Sequence, residues 1–171
     1  WQGSREIQVV NGESFKALAE ETARKVDLLM SDEVARTSRI AADPSIVLEL
    51  EQRRDALLDM TDDERRRAVD KLKSGWDTKD PVTVQAITGS RMAGLIQEYL
   101  AGTKSEADQL IPQVVRAATK MLYITDMEGN LVAALTTLPP FTNGETAWWK
   151  GAFHHGVGQL FIEDVHFDER A

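Results

Sequence analysis

Apolar side chains recur at three- and four-residue intervals through the first two thirds of the chain and give way to short consecutive apolar runs after about residue 120. Phe15, Leu18, Ala19, Thr22, Val26, Leu29 and Val34 predict one long amphipathic helix over roughly residues 13–41. At 1.5 Å per residue it runs about 40 Å, more than the width of a small domain. Glu33 and Arg36 interrupt its seam, so it is not a strict heptad coiled coil. Asp43-Pro44 closes this helix and opens the next, with Asp43 as N-cap and proline at the first helical position, where its missing amide costs nothing. Ile46, Val47, Leu50, Leu57 and Leu58 form the apolar stripe of that second helix.

Thr61-Asp62-Asp63-Glu64 has the spacing of a capping box. The helix it starts carries Ala68, Val69, Leu72 and Trp76 on one side. Asp80-Pro81 repeats the cap-and-proline start, and Gly89-Ser90 leads into a helix with Met92, Leu95, Ile96, Tyr99 and Leu100 that ends near Gly102. Ser105 to Asp108 resembles a further capping box ahead of Leu110, Val114, Val115 and Ala118, with Pro112 one turn in.

Two apolar runs, Met121–Thr125 and Leu131–Leu135, flank a turn at Gly129-Asn130 and predict a β-hairpin that Pro139-Pro140 ends. Thr142 and Glu145 are placed to cap a short helix holding Ala147, Trp148, Trp149, Ala152 and Phe153. After Gly156-Val157-Gly158, Gln159–Ile162 reads as a third strand, with Val165–Phe167 continuing it past a kink. The expected class is α+β: a helical N-terminal segment, 1–119, layered on one face of a small antiparallel sheet, 120–171. A sheet of three short strands has an open edge, so further strands beyond Ala171 or a partner are expected to cover it.

A chain of 171 residues suffices for one domain with a core, and 42% apolar and 28% charged residues are ordinary for a folded protein. The net charge of −8 disfavours a nucleic-acid partner. The absence of cysteine excludes disulfides, thiolate catalysis and Cys-ligated metal centres. No apolar run approaches the roughly 20 residues that cross a bilayer, and the start at Trp1 leaves room for an anchor or leader upstream. Residues 51–73 hold 14 charged side chains of both signs, including Arg65-Arg66-Arg67 among Asp62, Asp63, Glu64 and Asp70. This mixture reads as a solvated helix face. Dinucleotide, Walker, serine-hydrolase and zinc-protease motifs do not occur, and the chain is read as a non-enzyme without cofactors. His154 and His155 are adjacent and His166 is eleven residues on, which is not chelating spacing on a helix. No metal is expected.

From residue 121 the order of features resembles the Cache family, the PAS-like extracytoplasmic sensor domains of histidine kinases, chemoreceptors and nucleotide cyclases. The pieces are Tyr123-Ile124-Thr125-Asp126, Glu128-Gly129-Asn130, Leu131-Val132-Ala133-Ala134, Glu145–Trp149 with its paired tryptophans, Gly156–Ile162, and the acids Asp164 and Asp168. They span about 50 residues; the helical part matches more loosely. The resemblance implies a PAS-like sheet and an extracytoplasmic, periplasmic or extracellular input domain. It implies membrane tethering through segments outside this chain, a homodimeric receptor and a small organic ligand. The alternative is a non-catalytic structural or protein-interaction domain whose pocket is filled by its own side chains.

The family places its pocket between the sheet and the loop-plus-helix cover. Trp149, Phe141, Asp164, Trp148 and Tyr123 are accordingly the candidate ligand-binding residues. The tryptophans equally suit a core plug and a seal on the preceding loop, and Tyr123 equally suits the core. Pro140-Phe141-Thr142 stands where relatives often carry Asp-Tyr-Tyr, so weaker recognition of an amino-acid ammonium group is expected. Asp126 is expected to tie the hairpin turn, and the histidine pair to end the tryptophan helix.

Overall fold

The computed structural model describes residues 2–102 and 121–163, which divide into two compact units. The first contains residues 2–37 of helix α1 (Gln2–Ala41). Ion pairs one turn apart line it, Lys25 to Glu21 at 2.7 Å and Arg36 to Asp32 at 2.8 Å. Phe15, Leu18 and Val26 of the expected apolar stripe are exposed.

The second unit joins residues 38–102 with 121–163, so the helices before residue 120 and the strands after it share one body. Helices α2 (Pro44–Leu58), α3 (Asp62–Asp77), α4 (Pro81–Thr88) and α5 (Arg91–Gly102) precede strands β1 (Tyr123–Thr125) and β2 (Leu131–Ala134), and helix α6 (Ala147–Phe153) follows. Each start follows from a side chain that satisfies amides the helix itself leaves open. Asp43 Oδ1 accepts from the Ser45 and Ile46 amides at 2.8 and 3.3 Å. Thr61 and Glu64 form the reciprocal capping box, and Asp80 Oδ2 accepts from the Thr83 amide at 3.0 Å. Thr146, rather than Thr142 or Glu145, caps α6 through the Trp149 amide.

Among the described residues the fold is α+β with a two-stranded antiparallel sheet. Tyr123 pairs with Ala134, Ile124 with Ala133 and Thr125 with Leu131, so β2 carries one residue more than β1 between the last two pairs. This bulge breaks the usual alternation of faces. Val132 and Ala133 both enter one core with Ile40, Ile46, Met92, Ala93 and Ile96. Leu131 and Ala134 enter a second with Trp76, Ile87 and Phe141. The expectation of helices on a single face is therefore corrected: α2 and α5 cover one side of β2, and α3 and α4 cover the other.

The neighbour of β2 on its second edge is the segment after the two prolines. Leu131 N donates to Phe141 O at 2.7 Å, Asn143 N donates to Gly129 O at 2.7 Å, and Asn130 and Thr142 form an isolated antiparallel bridge. The strand expected at Gln159–Ile162 does not form. The chain turns back instead on the open carbonyls at the end of α6: Gly158 N donates to Phe153 O at 3.1 Å, and the segment's first amide, Gln159 N, to Ala152 O at 2.8 Å. Gly156 and Gly158, with φ of 87° and 73°, make that reversal. The segments expected around Ser105–Ala118 and Val165–Phe167 lie outside the described residues.

Trp76 Nε1 donates to Pro139 O at 2.9 Å within the second core, fixing α3 to the segment that edges β2. Trp76→Phe keeps most of the apolar volume but strands a buried carbonyl, and is expected to cost about 1–3 kcal/mol in denaturant unfolding.

Acid is expected to loosen the helix starts. Asp43 lies below its ordinary value because Tyr99 and the cap amides donate to it. Glu64 is lowered by the Thr61 hydroxyl and amide, and Asp80 by the Thr83 amide and hydroxyl. These groups bind fewer protons folded than unfolded. Their contribution is thus complete above the ordinary values of 3.8 for Asp and 4.5 for Glu, and falls as pH drops through the lowered folded values. Thermal melts from pH 6 downward check this; Asp43→Asn should flatten the slope below about pH 4.

Candidate functional site

Adjacent helical residues point about 100° apart, so Trp148 and Trp149 cannot enter one core side by side. Trp148 turns toward β1 and meets the Tyr123 ring edge to face at 5.8 Å between centroids. Trp149 stacks on Phe153 one turn later, 4.6 Å between centroids and 14° from parallel, and its Nε1 donates to Thr125 Oγ1 at 3.2 Å. Both indoles remain half-buried.

These rings form one wall of a groove with a cavity volume of about 730 Å³, within the 300–1,000 Å³ common for small-molecule sites. Helix α2 supplies the facing wall through Val47, Leu50, Leu57 and Leu58, spaced as one helical face. The hairpin turn, Thr125 to Glu128, contributes the third side. Asp126 shapes this turn as expected: its Oδ1 accepts from the Glu128 and Asn130 amides at 3.0 and 2.8 Å. Gly129, at φ 81°, permits the close approach of Gly144 beneath the turn.

Three arginines line the groove, and their partners differ. Arg54 pairs with Asp55 at 2.8 Å. Arg65 Nε donates to Leu57 O at 3.0 Å, closing the end of α2, and Nη1 lies 3.5 Å from Asp62. Arg53 Nε is buried without a hydrogen-bond partner among the described residues. Of the acids at the groove, Asp126 is engaged by the turn and Glu128 accepts weakly from Asn130 Nδ2 at 3.4 Å. Glu51 completes the set.

Family models, curated proteins and solved structures give no match to this chain.

Of the residues singled out from sequence, Trp148 and Trp149 line the groove. Tyr123 stands behind Trp148, packed on the second core, with its hydroxyl 3.4 Å from Asn143 Oδ1. Phe141 is 2% exposed inside that second core, against Trp76 and Leu131, and does not line the groove. Its carbonyl accepts from the Leu131 amide, so its segment runs along the edge of β2. Asp164 lies outside the described residues. The α2 wall and Arg53 were not among the sequence candidates. The spacing of Leu50, Arg53 and Leu57 was the available signal, but the dense charge around it read as solvated surface. His154 and His155 end α6 as expected, exposed and with φ of 42° and 58°. Among the described residues no group of three acids or histidines could hold a metal ion, and no helix is long and apolar enough to cross a membrane.

The bond from Trp149 to Thr125 ties α6 to the hairpin, and both residues line the groove. Thr125→Val retains the branched shape and removes the acceptor. It is expected to lower stability by about 0.5–1.5 kcal/mol in chemical unfolding and to speed exchange of the Trp149 indole Nε1 proton, read by NMR.

Proposed function

We propose that this chain is the extracytoplasmic small-molecule-sensing input domain of a transmembrane receptor, of the histidine kinase, chemoreceptor or cyclase type, with a PAS-like sensor core. The observation that carries this reading is the groove between α2 and the tryptophan helix: concave, walled by indoles and aliphatic side chains, with a few polar groups converging on it. Such a composition is that of a ligand site, because apolar walls supply area while sparse polar groups supply orientation. The Cache-like order of motifs from Tyr123 to Ile162 supports the same reading independently.

In this proposal a ligand acts through α2. Leu50 lines the groove and also packs on the core that holds Ile46 and Ile40, the latter at the C-terminal end of α1. Ligand affinity that differs between two positions of α2 would bias that core, and a membrane-tethered homodimer would transmit the bias.

A thermal-shift screen of the purified domain tests the proposal, using amino acids, amines, carboxylates, purines and aromatic compounds. Binding to the folded state raises the melting temperature in proportion to RT ln(1 + [L]/Kd). A concentration-dependent rise is expected for at least one class, abolished by Trp149→Ala in a variant shown to fold. No rise for any class would reject the sensor reading and favour a protein-interaction domain.

A further inference from the structure

We propose that the groove selects an organic monoanion, a single carboxylate on a flat apolar body, with Arg53 as the residue that binds the carboxylate. This rests on the groove being a ligand site, as proposed above, and adds the ligand's charge and the residue that reads it.

Burying a guanidinium nitrogen without an acceptor costs free energy that neither water nor protein returns. Arg53 carries this cost, since its Nε is buried and has no hydrogen-bond partner. Its two companions at the groove do not, being held by Asp55 and by Leu57 O and Asp62 respectively. Arg53 therefore keeps an unanswered Nε donor, and the planar guanidinium that carries it matches the two oxygens of a carboxylate.

Charge sets the limit on the anion. Glu51, Asp126 and Glu128 bring three carboxylates to the same groove, balancing its three arginines. Only one arginine is uncommitted, so a dianion or a phosphate ester would meet like charge without a second cation. The remaining lining sets the body. Trp149 stacked on Phe153, with Trp148 beside it, offers aromatic faces, and Leu50 and Leu57 offer aliphatic contact opposite.

Calorimetric titration with benzoate, 2-naphthoate and indole-3-acetate, each against its neutral amide, tests this. At least one acid is expected to bind tenfold or more tightly than its amide. Arg53→Gln should remove that preference and leave amide affinity unchanged, and inorganic phosphate should not compete at concentrations comparable to the acid. Arg53→Met, which keeps the apolar stem and deletes the stranded donor, should leave the melting temperature of the ligand-free domain unchanged or raised. A sharp fall in that temperature would make Arg53 a structural residue and overturn the proposal. So would equal binding of acid and amide, undiminished acid binding by Arg53→Gln, or failure of all three acids to bind. In each of these cases a hit among neutral or cationic compounds in the broader screen would leave the sensor reading intact.

Discussion

Burial of β2 from both sides is the constraint on which the second unit depends. Leu131, Ala133 and Ala134 are completely enclosed and Val132 nearly so, although the strand is four residues long and has one regular partner among the described residues. An isolated two-stranded hairpin is marginal in water. Here its backbone is protected because α2 and α5 close one face, α3 and α4 close the other, and the Pro139–Asn143 segment occupies the free edge. Alanine at positions 133 and 134 lets helices approach both faces closely. The bulge at Val132 assigns two consecutive residues to the same core, which a regular strand does not do.

What the sequence made legible were the features decided locally. The Asp-Pro starts at residues 43 and 80, the Thr61–Glu64 box and the Asp126 turn each depend on side chains within four residues of the amides they satisfy. The misplaced features depend on competition between distant parts. Gln159–Ile162 has strand-like composition, but the α6 carbonyls lie only a few residues away and glycines at 156 and 158 let the chain turn back to them. Phe161 then rests on Gly151, where a side chain would collide with its ring. Phe141 precedes the tryptophans as a pocket residue would, but its segment pairs with the edge of β2 and its ring packs in the second core, a long-range arrangement that composition does not encode.

The charged stretch from 51 to 73 divides in a way that also escapes periodicity. Most of its members do face solvent, paired within the helix or with a neighbour, as Arg54 with Asp55 and Lys73 with Asp77. Arg65 has a structural purpose: it supplies donors to carbonyls at the C-terminal end of α2, the role that a glycine cap fills in other helices. Arg53, on α2 itself, leaves its buried Nε without a partner among the described residues, and it sits three residues after Leu50 and four before Leu57, in the row that faces the groove. The two arginines are distinguished by their surroundings alone.

Helix α2 is fixed unequally along its length, and this matters for any ligand the groove takes. At its start Asp43 caps it with one carboxylate oxygen, and with the other accepts from the Tyr99 hydroxyl of α5 at 2.8 Å, while Ile46 is buried beside Met92 and Ile96. Toward its end Leu57 and Leu58 line the groove and belong to neither core cluster of the described residues, and the Arg65 side chain bridges back to the helix terminus. A force applied at the groove thus acts on the weakly held end of a helix whose other end is pinned to the core. Displacement there is cheaper than displacement of the core itself, because few buried contacts must be broken. Leu50, shared between groove and core, sets how far such a movement reaches: it is the first α2 position from the groove at which moving the helix would also disturb the packing around β2.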